Sequence, residues 1–253
     1  MTAVRQTMQV SLRSFRALLR QPAYLGITLA QPIIWLLLFG ALFKAVTRIP
    51  GFHGSYIDYL TPGIVVMLAV SSAGWSGMGF IEDINGGIMD RMLVSPVWRG
   101  ALNAGIVFGM MVTVVIQTLM IVLLALALGA HYRGGVLVML VLAALLAAVF
   151  ASLSNGVGVL ARQRESLIGA VSLVLLPLTF LSSALMQQSL VPHWIRSVAT
   201  VNPVNWAVEA ARSAAMQKTD WGVVAGRLGL LFVLALLAAW FATRAFRSYQ
   251  RSV

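Results

Sequence analysis

The sequence predicts an all-α membrane protein. Six transmembrane helices follow an N-terminal amphipathic interfacial helix, short interfacial or re-entrant helices lie between spans five and six, and both termini are on the cytoplasmic side. Three observations predict it. Of 253 residues, 60% are hydrophobic and only 10% charged, against about 25% charged in a soluble domain. Apolar runs of about twenty residues, enough to cross a bilayer, alternate with short polar segments. Basic residues favour alternate segments, as the positive-inside rule requires.

Residues 1–22 hold the amphipathic helix. Val4, Met8, Leu12, Phe15 and Leu19 recur at helical spacing, beside a stripe of Arg5, Gln9, Arg13, Arg16 and Arg20. A basic face next to an apolar one suits the cytoplasmic headgroup layer. Pro22 turns the chain into span one, about Tyr24 to Phe43, which Pro32 should kink beside Gln31 because proline donates no backbone hydrogen bond. A loop from Lys44 to Tyr59 leads to Thr61-Pro62, a cap-plus-proline helix start. Span two runs to about Phe80 and is rich in small residues, among them Ser72, Gly74, Ser76 and Gly77, which allow close helix packing.

Residues 81–101, IEDINGGIMDRMLVSPVWRGA, are the long polar interruption of the first two-thirds of the chain. Gly86 and Gly87 permit a bend. A two-turn helix is expected from Gly87 to Val94, with Ile88, Met89, Met92 and Leu93 on one side, and Ser95-Pro96 opens the next helix. Span three covers about Leu102 to Leu128, and span four follows a short turn, from Val136 to about Leu160. Gln117 and Asn155 lie deep in these spans and are expected to be interhelical hydrogen-bond partners. A tight loop with Arg162 and Arg164 precedes span five, Leu167 to Met186, interrupted at Pro177 near Leu181.

Residues 187–221 read as one or two short helices in the outer interface. Asn202-Pro203 starts one of them, and Val201 and Trp206 occupy the positions of a hydrophobic staple. Glu209 and Arg212 are spaced to pair at i,i+3, while Trp194, Trp206 and Trp221 are interfacial aromatics. Span six, about Val223 to Ala242, ends in a basic tail. With the N-terminus inside, the cytoplasmic segments hold Arg5, Arg13, Arg16, Arg20, Arg91, Arg99, Arg162, Arg164, Arg244, Arg247 and Arg251. The outer ones hold Lys44, Arg48, Arg133, Arg196, Arg212, Lys218 and Arg227. That distribution sets the topology.

Several chemistries are disfavoured. The net charge of +11 is scattered between apolar spans, which points to anionic lipid headgroups and not to nucleic acid. There is no cysteine. No His/Cys cluster or H-E-x-x-H pattern suggests a metal site. Gly74-Trp75-Ser76-Gly77 spells the nucleophile pattern of an intramembrane serine protease, yet His53, His131 and His193 all fall in outer loops and no span offers a base. The lysines, Lys44 and Lys218, do not follow glycines, so no phosphate-binding loop exists. All seven acids fall outside the expected spans, leaving no intramembrane charge pair.

The order of features resembles the permease subunit of the ABC-2 exporter family, exemplified by daunorubicin-resistance permeases, over essentially the whole chain. The matching stretches are the basic helix with RQPAYLG, the GGIMDRMLVSPVWRG loop, and PLTFLSSALMQQSLVPHWIRSVATVNPVNWAVEAAR. Ser183-Ala184 stands where the family commonly has Ser-Gly. The resemblance implies a non-enzymatic, single-domain subunit in a bacterial cytoplasmic (inner) membrane, surrounded by lipid. It implies a second permease subunit, in a homodimer or heterodimer, and two copies of a separate ATPase that uses ATP and Mg. The chain itself would hold no cofactor. Coupling to the ATPases would fall to Arg13, Arg16, Arg20, Glu82, Asp83, Gly87, Ile88, Met89, Arg91, Met92, Leu93 and Pro96. The pore and its outer gate would involve Gln31, Pro32, Ser72, Ser76, Pro177, Leu181, Trp194, Asn202, Pro203, Trp206, Glu209 and Arg212. Its cargo would be an amphiphilic or hydrophobic small molecule, a drug or antibiotic first, a lipid or lipid-linked glycan next. The alternative is a membrane scaffold or assembly factor that transports nothing.

Overall fold

The computed structural model describes residues 22–42, 56–86, 99–132, 135–185, 191–215 and 219–250. Arg13, Arg16 and Arg20, and the coupling residues Gly87, Ile88, Met89, Arg91, Met92, Leu93 and Pro96, lie outside them.

Among the described residues every regular element is a helix: α1 (Pro22–Leu42), α2 (Tyr56–Gly74), α3 (Gly77–Asn85), α4 (Arg99–Ala127), α5 (Val136–Ala161), α6 (Arg164–Phe180), α7 (His193–Ala199), α8 (Pro203–Ala215) and α9 (Trp221–Gln250). The central one is α5, which packs against α2, α3, α4, α6, α8 and α9. Its sequence explains this position. Ala143, Ala147, Ala151, Ser154 and Gly158 present little more than backbone on several sides, so neighbouring helices approach closely. Its C-terminus closes on Arg162 in the left-handed conformation (φ 55°), whose N–H reaches the carbonyl of Gly158.

Among the described residues, four helical stretches are long and apolar enough to cross a membrane: Tyr56–Asn85, Asn103–Ala127, Val136–Ala161 and Trp221–Arg247. Helix α1 runs 21 residues, over the length expected for the first span, whereas the fifth is shorter: α6 has 17 residues, about 25 Å at a rise of 1.5 Å per residue. Span five stops near Phe180 and not Met186, because Pro177 falls in its last turn and the chain bends at Leu181.

Other boundaries differ from the sequence expectation. Helix α2 begins at Tyr56, so Thr61-Pro62 sits inside it. Pro62 lies in its second turn and cannot donate to the Asp58 carbonyl four residues back, while the Thr61 hydroxyl donates to the Ile57 carbonyl at 2.7 Å. Span two is not continuous: it breaks at Trp75-Ser76 and resumes as α3, which carries the chain on to Asn85. Ile81 to Asn85 are therefore helical, and Phe80 and Ile81 are fully buried. The Phe80 ring meets Phe246 of α9 edge-on, with centroids 5.5 Å apart.

The helical charges also depart from expectation. Asp58 lies in the first turn of α2 and accepts the His131 backbone N–H at 2.9 Å. Arg227 lies within α9 and forms an ion pair with Glu209 at 2.8 Å. An acid and a base thus meet at the edge of a span-length helix, where the sequence suggested no such pair. At the opposite end, Glu82 of α3 pairs with Arg164 of α6 at 3.0 Å, with both side chains more than half exposed. Such a pair contributes at most about 1 kcal/mol.

Candidate functional site

Two assemblies gather most of the described candidate residues. The first is a pocket of about 280 Å³ between α1 and α2. Its wall brings together Gln31, Pro32 and Trp35 of α1 with Met67 and Ser72 of α2 and with Trp75 at the helix break. Among the described residues no lining side chain is ionisable. A low-dielectric pocket of this kind would strip an ion of its hydration without returning a counter-charge, so it suits an apolar group with a few hydroxyl or amide contacts.

Gln117 of α4 holds the two walls together. It is fully buried, and its amide NH2 donates to Thr28 Oγ1 of α1 at 2.8 Å while its carbonyl accepts from Ser72 Oγ of α2 at 3.0 Å. Both ends of one amide are used on different helices, which sets the spacing of the pocket walls. The interhelical role expected for Gln117 is observed, as is that of Asn155, whose amide donates to Asn103 Oδ1 at 3.0 Å. Gln117→Leu removes both bonds at nearly constant volume. In membranes such bonds contribute about 0.6 kcal/mol each, up to about 1.7. The variant should accumulate and fold with a modest loss of thermal stability, roughly 1–3 kcal/mol. A cysteine at Leu29, buried on α1, should then react faster with thiol reagents than in the parent. An unchanged rate would show that α1 is held by packing alone.

The second assembly lies at the other end of α2, where α8 locks onto the end of α6. Three side chains of α8 and its cap do this, each answering a specific deficit. Asn202 accepts the Val204 N–H through Oδ1 at 2.9 Å, capping α8 before Pro203 as the sequence indicated. Its Nδ2 donates to the carbonyls of Leu178 and Leu181, at 2.7 and 3.2 Å. The terminal carbonyls of a helix lack intrahelical donors, and here a side chain from another helix supplies them.

Asn205 is fully buried and accepts both the N–H (3.0 Å) and the hydroxyl (2.7 Å) of Ser183. Its Nδ2 donates to Glu209 Oε1 at 2.8 Å, and Glu209 then meets Arg227. One relay thus joins the end of α6 to α9 through α8. Trp206 donates its indole N–H to the Thr200 carbonyl at 2.6 Å, and this bond ties it back to the turn; Val201, its expected staple partner, is 70% exposed.

Arg212 does something different from the expected pairing with Glu209. Its Nε donates to the Tyr59 carbonyl at 3.3 Å and its terminal nitrogen to the Ala184 carbonyl at 2.9 Å. The guanidinium also lies 3.7 Å over the Tyr59 ring. Gly63 makes room for this: a Cβ there would run into the Ala184 carbonyl that Arg212 holds. Burial works against the cation and draws its pKa down to about 10, while Tyr59, Tyr56 and Glu209 favour the charge. Below about pH 10 the group stays charged and its burial cost is constant; that cost lifts only as the pH rises above about 10. No pH dependence near neutrality should arise from this residue.

The remaining candidates separate. Pro177 and Leu181 close the last turn of α6, where the Leu181 N–H reaches the Pro177 carbonyl at 2.8 Å. Trp194 on α7 is 60% exposed. Ser76 is buried in the helix break and does not line the pocket. Glu82 carries the ion pair to Arg164, and Asp83 stands beside it on α3. Sequence reasoning missed Trp75, Ser154, Ser183, Asn205 and Arg227. Of these, Asn205 carried a signal, a second asparagine in the first turn of a helix that already has its cap.

Comparison with known proteins adds identity to this geometry. Residues 5–216 match the family described as ABC-2 type transporter. The chain is 30% identical over 264 residues to the daunorubicin resistance ABC transporter permease protein DrrB1 of Streptomyces coeruleorubidus, covering 98% of this chain and 87% of that protein. It is 31% identical over 204 residues to the putative transport permease ycf38 of Cyanophora paradoxa, covering 79% and 70% of the two chains. The inner membrane transport permease YadH of Escherichia coli K12 is 26% identical over 229 residues, covering 84% and 86%.

Proposed function

The chain belongs to the ABC-2 type transporter family, and from that premise we propose that this multi-pass membrane permease subunit is the translocation half of an ATP-driven exporter. Two copies, or this chain and a related one, would form the path, and a separate ATPase subunit on each would supply the energy with Mg and ATP. The observation that carries this reading is the uncharged pocket between α1 and α2, whose walls one buried glutamine spans. A scaffold has no need of such a cavity beside a broken helix. Its apolar, aromatic wall favours an amphiphilic or hydrophobic cargo, a drug-like molecule before a lipid or lipid-linked glycan. DrrB1, a drug resistance permease by name, is similar over nearly the full chain.

The coupling role proposed for Glu82 and Asp83, for residues 87–96 and for Arg13, Arg16 and Arg20 fits the position of α3. That helix runs out of the core toward residues 87–98, and Glu82 ties it to α6. Movement imposed on the segment by ATP closure would reach the pocket through α3. In the same proposal the outer block, α7 and α8, closes the exit. Co-expression with a candidate ATPase and reconstitution into liposomes tests the proposal. ATP turnover by the complex should rise when both subunits are present, and the double change Met92→Ser and Leu93→Ser should separate turnover from export. An ATPase that neither co-purifies nor responds would leave the scaffold reading in place.

Six spans with both termini in the cytoplasm complete the proposal. Because the sequence contains no cysteine, single cysteines placed at Thr2 and Ser252 should resist membrane-impermeant thiol reagents in intact bacterial cells. One placed at His131 should react. Labelling of either terminus would overturn this topology.

A further inference from the structure

The polar groups of the pocket between α1 and α2 are not equivalent. Those of Thr28 and Ser72 are engaged by the Gln117 amide. Gln31 and Ser71 also line the pocket, yet among the described residues their side chains make no hydrogen bond. Gln31 stands at the middle of α1, where hydrocarbon offers an amide no partner either. A guest in the pocket can supply one.

Two contacts fix the level of these groups along the helices. Gln117 holds Thr28 opposite Ser72, and a Cβ on Gly40 would meet the Ile57 side chain at 3.5 Å. Helices α1 and α2 therefore run antiparallel, each step forward on one matched by a step back on the other. On this register Gln31 and Ser71 differ in level by two residues, about 3 Å. Trp35 lies seven residues beyond Thr28 in one direction, and Trp75 three beyond Ser72 in the other. The two tryptophans are thus about 15 Å apart along the axes, and the Gln31–Ser71 pair lies midway between them.

We propose that the pocket selects an uncharged, elongated molecule with an amide-type group at its centre and an aromatic ring at each end. As a statement about cargo this rests on the export reading given above; what the pocket binds is tested on the permease alone. Gln31 presents both a donor and an acceptor, and the Ser71 hydroxyl can serve as either. An amide, carbamate or urea at the centre is therefore met at its N–H and at its carbonyl. The indoles receive the rings edge-on or offset. A carboxylate or ammonium at either end would find no counter-charge among the described lining residues.

The probe is radiolabelled N,N′-diphenylurea, with binding to the purified permease read by scintillation proximity above the background left by excess unlabelled ligand. It should bind saturably. trans-Stilbene, two rings without the polar centre, should displace it at least about tenfold more weakly, and the para-dicarboxylate of diphenylurea should not displace it. Gln31→Leu should weaken diphenylurea about tenfold and leave stilbene unchanged, so that the two bind alike. Trp35→Ala and Trp75→Ala should each weaken both. No saturable binding, or displacement by stilbene as strong as by diphenylurea itself, overturns the proposal, the second outcome marking a groove for any apolar guest. A Gln31→Leu protein that weakens both ligands equally overturns it too, and the ligand comparison on the parent decides if a variant fails to accumulate. Should the probe bind as expected while ATP turnover of the complex with its ATPase ignores it, the pocket is off the cargo path and the binding class stands. Should the complex export while the probe does not bind, the binding class alone falls.

Discussion

Arg212→Leu should leave a chain that accumulates poorly and unfolds well below the parental temperature in detergent, with export lost. The change deletes two hydrogen bonds from a charged donor, to the carbonyls of Tyr59 and Ala184, and a stacked contact with the Tyr59 ring. Hydrogen bonds to charged groups contribute about 1.5–3 kcal/mol each. A loss on the order of 3 kcal/mol is a large part of a net stability of about 5–15 kcal/mol. The loss is also concentrated where three elements meet: α8, the start of α2, and the chain just after α6. Leucine supplies volume but no donor, so the Ala184 carbonyl loses the bond Arg212 gave it, the expensive half of the exchange.

Arg212→Lys separates charge from geometry. An ammonium on a flexible stem cannot serve two carbonyls in the fixed directions of a guanidinium fork or stack as a plane on tyrosine. The lysine variant should fall between parent and leucine, nearer to leucine. Thermal unfolding of the three proteins in one detergent measures this. If Arg212→Leu unfolds at the parental temperature, the outer block is held by its apolar contacts and the arginine is incidental.

What the sequence made legible was whatever repeats locally. Apolar runs gave the helices, Asn202-Pro203 gave the start of α8, and the depth of Gln117 and Asn155 pointed to interhelical bonds that are present. The misses involve partners far apart in the chain. Gly74-Trp75-Ser76-Gly77 reads in the sequence as a nucleophile pattern that no span supplies with a base. In the fold it is a helix break whose Gly77 N–H and Gly74 carbonyl both meet the Ser154 hydroxyl, 77 residues beyond Gly77, and no local period encodes that. Glu209 and Arg212 are well spaced for a pair on an isolated helix. In the folded chain Glu209 meets Arg227 from α9, and Arg212 is drawn to the Ala184 carbonyl beyond the end of α6. A spacing rule for exposed helices gives way where burial makes each unmet polar group costly. The pocket was legible only as separate residues: Gln31, Pro32 and Ser72 were candidates, and Trp75 joins them at helical spacing from Met67, Leu68, Ser71 and Ser72.

Two glycines in α3 should respond in opposite ways to the same substitution. A Cβ on Gly77 would overlap the backbone carbonyl of Ser154 and come within 2.9 Å of its hydroxyl. In the reciprocal direction, a Cβ on Gly158 would come within 2.8 Å of the Gly77 carbonyl. The obstacle is backbone on both sides, so no rotamer change relieves it, and α3 and α5 must part. Overpacking costs about 1–3 kcal/mol even where side chains can yield; Gly77→Ala should exceed that range, and Gly77→Val should fail to accumulate. Separation at this point also pulls Ser154 from the groups it clips. Gly79, two residues on, meets nothing within 4 Å of an added Cβ. It lies on the exposed side of the same helix, where alanine is favoured over glycine by about 1 kcal/mol. Gly79→Ala should therefore match or exceed the parent in thermal stability. Parallel unfolding of Gly77→Ala and Gly79→Ala reads the difference directly, with propensity gained equally in both. Equal midpoints would mean that α3 and α5 do not meet backbone to backbone at Gly77.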